Sequence, residues 1–157
     1  MKPGQFTYHA PRTIDAFRRA SQGPLMTRGS ALFSRITGGA FTSLIIEPDD
    51  RGEPEIQAVR KNNGLVRPKA MSSGTRDQLF LALRMAALEL HAKEHEPMPL
   101  ILDDLLITFD DHRSAAILRE FRRLADTTQV LLFTHHQHLV DLCRQELALP
   151  DSHIHAV

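Results

Sequence analysis

From residue 71 onward the apolar positions keep two rhythms in turn. Residues 74–95 place Leu79, Phe80, Leu83, Ala86, Ala87 and Leu90 at helical spacing, which predicts a long amphipathic helix with these side chains on one face. Pro97 and Pro99 end it. PLILDD (99–104) is a short continuous apolar run closing on two acids, the pattern of a strand buried on both faces, usually in a parallel sheet. Residues 111–125 predict a second amphipathic helix with Ile117, Leu118, Phe121 and Leu124 inward. QVLLFTHH (129–136) predicts another buried strand, QHLVDLCRQEL (137–147) a third helix, and HIHAV (153–157) a closing strand. Strand, helix, strand, helix, strand is α/β order.

The first half has a different texture. Residues 1–12 hold Pro3, Gly4 and Pro11 and read as a loose leader. Residues 13–22 have Ile14, Phe17 and Arg18 at helical spacing; Pro24 interrupts that pattern, and residues 25–37 resume it with Leu25, Leu32, Phe33 and Ile36 on one apolar face. Gly38 and Gly39 form a helix stop. FTSLIIE (41–47) and EIQAVR (55–60) read as strands, joined by the turn formers PDDRGEP into a hairpin, and KNNGL is a second turn.

Composition narrows the class without choosing a function. The chain has 157 residues, 42% hydrophobic and 24% charged, ordinary for one globular domain with a core. It has no apolar stretch of about 18 residues, so no transmembrane helix and no membrane partner are expected. MKPGQFTYHAPR lacks the apolar run of a secretory signal. Cys143 is the single cysteine; an internal disulfide is impossible, and a reducing, cytoplasmic setting is expected. Its place beside Leu139 and Leu142 suggests core packing. Formal net charge is zero, yet residues 1–70 carry 11 Lys and Arg against 6 Asp and Glu, and residues 71–157 carry 8 against 13. A basic half could face nucleic acid, but without a tight Lys/Arg cluster scattered solvated arginines are the plainer reading.

Three short motifs carry candidate chemistry. MSSGTRDQ (71–78) opens the long helix with two capping serines and a bare glycine backbone; the free N–H groups and positive end of a helix there can hold an anion. Alone, Ser-Ser-Gly before a helix is usually a simple cap. LILDD ends a buried strand on Asp103 and Asp104, at the edge where open α/β sheets bind ligands. One carboxylate there can hold Mg²⁺ through water while its neighbour orients a nucleophilic water. VLLFTHH brings His135 or His136 to the end of another strand, where an imidazole can donate to phosphate; alone, such a histidine is more often structural.

In this order the motifs resemble those of ABC-type ATPases. MSSGTRDQ resembles the signature motif, LILDD the Walker B strand, ITFDD the D-loop and FTHH the switch-histidine segment. The match is nearest to SMC-like and YhaN-like repair-type ATPases, whose head is split in sequence by a long coiled coil, and it spans about residues 25–140. The resemblance implies the C-terminal half of a P-loop NTPase: a mostly parallel sheet flanked by helices, with an N-terminal antiparallel hairpin. Residues 1–37 would be a leader and the end of the returning coiled-coil helix, and residues 38–157 the C-terminal lobe. It also implies roles. Ser72, Ser73 and Gly74 would touch the γ-phosphate of ATP held by the opposite head, Asp103 would sit at Mg²⁺ through water, and Asp104 would be the catalytic base. Asp110 would lie in the dimer seam and His135 would contact the γ-phosphate. Expected partners are an N-terminal P-loop lobe of the same parent protein, a second head in a homodimer and, by family analogy with DNA repair or chromosome maintenance, DNA.

Departures matter as much. Asp104 stands where the family has glutamate, one methylene longer, and Ser73 where it has glycine. The P-loop pattern GxxxxGK[ST] does not occur; the lysines are Lys2, Lys61, Lys69 and Lys93, and none follows a glycine. The expectation is a partial ATPase, weak or inactive toward ATP alone. Two other readings compete: a catalytically degenerate interaction or dimerisation module, and a metal-dependent phosphoesterase drawing on Asp103, Asp104, Asp110, Asp111, His135, His136 and His138.

Overall fold

The computed structural model describes residues 10–148 and 153–155, with side chains from residue 23 onward. Helix α1 runs from Ala10 to Ile36, followed by strands β1 (Phe41–Pro48), β2 (Pro54–Arg60) and β3 (Leu65–Val66). A single 3-10 turn, Pro68–Ala70, leads into α2 (Ser73–Glu94). The rest alternates: β4 (Leu100–Asp103), α3 (Asp111–Leu124), β5 (Val130–Phe133) and α4 (Gln137–Leu147). The class is α/β. Its parallel part is the pair β4–β5, in the register Leu100 to Val130 through Asp103 to Phe133; its antiparallel part is the sheet β1–β2–β3.

Local chemistry accounts for the boundaries. At the end of α1, Gly38 and Gly39 adopt φ of 60° and 76°, and their N–H groups return to the carbonyls of Arg35 and Ser34. This left-handed cap fits glycine because a Cβ is disfavoured there. In the β1–β2 turn the Asp49 carboxylate accepts from the N–H groups of Arg51 and Glu53, at 2.8 and 2.9 Å.

The core lies between the C-terminal half of α1, one face of the β1–β2 hairpin, and helices α2 and α3. Leu32, Phe33 and Ile36 of α1 are buried against Phe41 and Leu44 of β1 and Leu79, Ala82 and Met85 of α2. The Phe33 and Phe41 rings lie 5.0 Å apart between centroids. Polar ties fix α1 further. Ser30 Oγ accepts from Leu44 N at 2.7 Å, and buried Gln78 donates from Nε2 to the Ile36 carbonyl at 2.6 Å. Arg35 donates twice to the carboxylate of Glu120 on α3, both at 2.8 Å; Glu120 is only 3% exposed and also receives Arg123.

Several expectations from the sequence are corrected. Pro24 does not interrupt α1. Proline removes one donor and crowds the preceding turn, but Leu25 and Met26 immediately beyond it pack on the core, so tertiary contacts hold the helix on. The leader extends no further than residue 9, since Ala10–Arg12 are helical; residues 1–9, and the side chains of Ile14, Phe17 and Arg18, lie outside the described residues. The buried face of α2 is Gln78, Leu79, Leu81, Ala82, Met85 and Ala86; Phe80 and Ala87 are exposed and Leu83 and Leu90 half-buried. Strands β4 and β5 are not covered on both faces: Leu102 is buried, but Ile101 is 63% and Phe133 46% exposed, because no described element packs over that side. His153–His155 do not form a strand, and Ala156 and Val157 lie outside the described residues. The inward face of α3, Ile117, Leu118, Phe121 and Leu124, is buried as expected.

Candidate functional site

The parallel register of β4 and β5 brings their C-terminal ends side by side, and the loops beyond them meet. Asp104 leaves β4 with φ of 45°, in the left-handed region that aspartate tolerates better than most residues. Its N–H donates to the Phe133 carbonyl at 3.0 Å, closing the ladder one residue past the strand. The turn aims its carboxylate at the β5 loop. Oδ2 lies 2.6 Å from His135 Nδ1, and Oδ1 accepts from the His135 backbone N–H at 3.4 Å. Desolvation pushes the Asp104 carboxyl upward, but hydrogen bonds from Thr134 and His135, with the charge of the imidazole, outweigh it and hold the group below its ordinary range. His136 stacks behind, its ring centroid 3.9 Å from that of His135.

Asp103 is the last residue of β4 and is exposed. A free carboxylate at the C-terminal edge of a parallel strand can reach a hydrated cation, so it fits Mg²⁺ held through water.

A second cluster forms around the start of α2. Ser72 is its N-cap, with backbone φ and ψ of −61° and 156°, and its Oγ accepts from Thr75 N at 3.3 Å. Ser73 opens the helix exposed to solvent and Gly74 follows half-buried. A Cβ on Gly74 would meet Arg113 Nη1 at 2.6 Å, so the absent side chain lets a guanidinium lie against the first turn. Arg113 comes from α3, where Asp110 is the N-cap and accepts from Arg113 N at 2.9 Å. Asp110 Oδ2 lies 3.4 Å from Arg113 Nε. Ser72 also lines a cavity of about 260 Å³ with Phe41, Arg60, Met71 and Thr75; Arg60 stands over the Phe41 ring, 5.5 Å from its centroid. The first-turn N–H groups and the two nearby guanidinium groups suit phosphate oxygens.

No protein-family model matches the chain, and no curated protein matches it significantly. Solved structures do. An SMC ATPase from work on ATP-driven dimerization and DNA-stimulated activation superposes with a TM-score of 0.65 at 18% identity, over 81% of this chain and 76% of that one. An Smc head bound to the C-winged helix domain of ScpA gives 0.63 at 18% identity, over 86% and 41%. The SMC head domain of Thermotoga maritima gives 0.56 at 18% identity, over 83% and 44%. The fold is that of part of an SMC head domain. Except in the first comparison, the chain spans less than half the length of these relatives.

Within this SMC-head fold the sequence-derived candidates fall into two groups. Asp103, Asp104 and His135 share the β4–β5 edge; Ser72, Ser73 and Gly74 open α2, where Gly74 lies against Arg113, the partner of Asp110. The cavity beside Ser72 is lined by none of Asp103, Asp104 or His135. Of the seven residues drawn on by the phosphoesterase reading, Asp104, His135 and His136 are the group with ligand atoms in mutual reach among the described residues; His138 instead lies 3.9 Å from Asp111. Sequence reasoning missed Thr134 and Arg113. Thr134 sits inside the quoted FTHH motif, so a hydroxyl beside the histidine was a readable signal. Arg113 gave none: an arginine three residues after a helix cap has no distinguishing pattern.

Proposed function

We propose that this chain is the C-terminal lobe of an ATP-hydrolysing SMC-type head, completed by an N-terminal lobe that supplies the P-loop. The observation that carries the reading is the Asp104–His135 contact, formed at the ends of adjacent parallel strands in an SMC-head fold. ATP with Mg²⁺ would supply the electrophilic, charge-neutralised phosphoryl group. Asp103 would hold the hydrated metal ion. Asp104, kept ionised by Thr134 and His135, would accept a hydrogen bond from the attacking water and take up its proton. His135, held against Asp104 through Nδ1, would turn its other nitrogen toward a phosphoryl oxygen. Ser72, Ser73 and the Gly74 N–H would receive the γ-phosphate of a nucleotide bound by the second head, and Asp110 would lie in the seam. Helix α1 would be the end of the returning coiled coil, its last turns built into the lobe. A role in DNA repair or chromosome maintenance in the cytoplasm follows from the same family reading.

The exposed apolar positions support the missing lobe. Ile101 and Phe133 lie on the open side of β4–β5, with Met98 exposed just before β4, and a larger parallel sheet is normally covered on both faces. The first test is to mix the chain with a separately purified P-loop lobe and measure ATP hydrolysis. Turnover should require both lobes and fall about 100-fold or more in Asp104→Asn, the usual scale for losing a general base. Turnover that persists in Asp104→Asn would remove Asp104 from the chemistry. A folded, associated pair without turnover would favour the degenerate dimerisation module.

A further inference from the structure

Asp104, His135 and His136 form a set that the ATPase reading does not use together. Each offers one metal-ligating atom, and these atoms all lie within 4.8 Å of one another, the one such group of three among the described residues. The three differ in burial, His135 being 71% exposed on its side chain and Asp104 29%, so the group is open to solvent on one side and backed by protein on the other. His136 adds an independent sign: its Nε2 is buried and has no hydrogen-bond partner. Buried polar nitrogens are normally satisfied, so this imidazole is poised for a ligand.

We propose that Asp104, His135 and His136 bind a divalent transition-metal ion of the zinc or cobalt type. The donor set decides the class. Two imidazoles and one carboxylate suit zinc, cobalt or nickel, whereas magnesium and calcium take oxygen donors. The spacing agrees. Bonds of about 2.0–2.2 Å in a tetrahedral site put ligand atoms roughly 3.3–3.5 Å apart, so side-chain shifts of about an ångström close the set. Asp104 is held by its N–H bond to the Phe133 carbonyl and His135 by its N–H bond to the Asp104 carboxylate, and a cation would replace the direct contact between Nδ1 and Oδ2. Water fills the fourth position from the exposed side. This site is separate from the hydrated magnesium expected at Asp103. Binding does not rest on the ATPase reading; if that reading also holds, the ion engages both Asp104 and His135 and stops hydrolysis.

The test is a titration of the untagged whole chain with Co²⁺, read by its visible d–d absorption, and with Zn²⁺ by calorimetry. One equivalent should bind, with the intense bands of a four- or five-coordinate ion, and a large excess of Mg²⁺ should not displace it. His136→Gln and Asp104→Asn should each weaken binding at least tenfold. His138→Gln and His91→Gln should leave it unchanged, the second because His91 and His95, with rings 4.5 Å apart, are a competing pair. Circular dichroism checks that the variants fold. Should one fail to, Zn²⁺ titration of the wild-type chain by NMR should shift the His135 and His136 imidazole resonances first. No binding at millimolar metal, affinity unchanged in His136→Gln, or first shifts at His91, His95, His153 or His155 would each overturn the proposal.

Discussion

At the scale of one side chain, Asp104 is fixed by the contacts its carboxylate makes with the β5 loop. Its left-handed backbone and short side chain place the carboxylate against Thr134 and His135, and those contacts keep it ionised. A glutamate here would carry the carboxylate one methylene further out, so aspartate keeps the group against His135. That hold has a pH signature. The folded-state pKa is depressed, so the stabilisation is present above the unfolded value of about 3.9 and is lost as pH falls through the folded value. Thermal melts of wild type and Asp104→Asn should therefore differ most at neutral pH, with wild type the more stable, and the gap should narrow below about pH 4. A gap that is constant with pH would mean the contacts do not favour the charged form. Because the group is partly exposed, the effect belongs to the small end of such linkages.

At the scale of elements, a buried amide is one of the polar ties that hold α1 to the rest. Gln78 stands at 1% exposure on the core face of α2 and donates to the Ile36 carbonyl at the end of α1. Gln78→Met keeps the volume but strands that carbonyl, which should cost about 1–3 kcal/mol in urea unfolding; Arg76→Met, on the exposed side, should be close to neutral. The same glutamine shows why the α2 face was misjudged from sequence. Apolarity pointed inward at Phe80 and outward at Gln78, whereas helix geometry groups 78, 79, 82, 85 and 86, and the amide is tolerated inside because it has a carbonyl to meet. Helices α3 and α4 were legible because their apolar positions keep a clean period and Asp110 supplies a cap. Strand β3 was not: two residues following a turn carry no period at all. Pro24 was misread for a related reason, since a local breaker yields where the turns after it are packed. The catalytic-looking pair was legible through two strands each ending in polar residues. Its hydrogen-bond partner Thr134, and the guanidinium over Gly74, depend on tertiary contacts that spacing does not encode.

For the whole molecule, the distribution of exposed apolar groups bears on the proposed partner lobe. Single exposed leucines are ordinary on any surface, but Ile101 and Phe133 belong to neighbouring strands of a two-stranded parallel sheet, an arrangement too small to stand as a finished layer. Such a face is stable in water only at a cost in apolar hydration, and covering it returns about 25 cal/mol per Å². If the P-loop lobe seats there, Ile101→Ser with Phe133→Ser should weaken association of the two lobes at least tenfold, about 1.4 kcal/mol or more, as measured by calorimetry. The melting temperature of the isolated chain should hardly move, because neither side chain contributes to its core. Phe80, exposed on α2, is the control: Phe80→Ser should leave lobe association intact. Equal loss in both variants would mean that exposed apolar area in general drives the association, whereas loss confined to the sheet pair would place the lobe contact on the open side of β4 and β5.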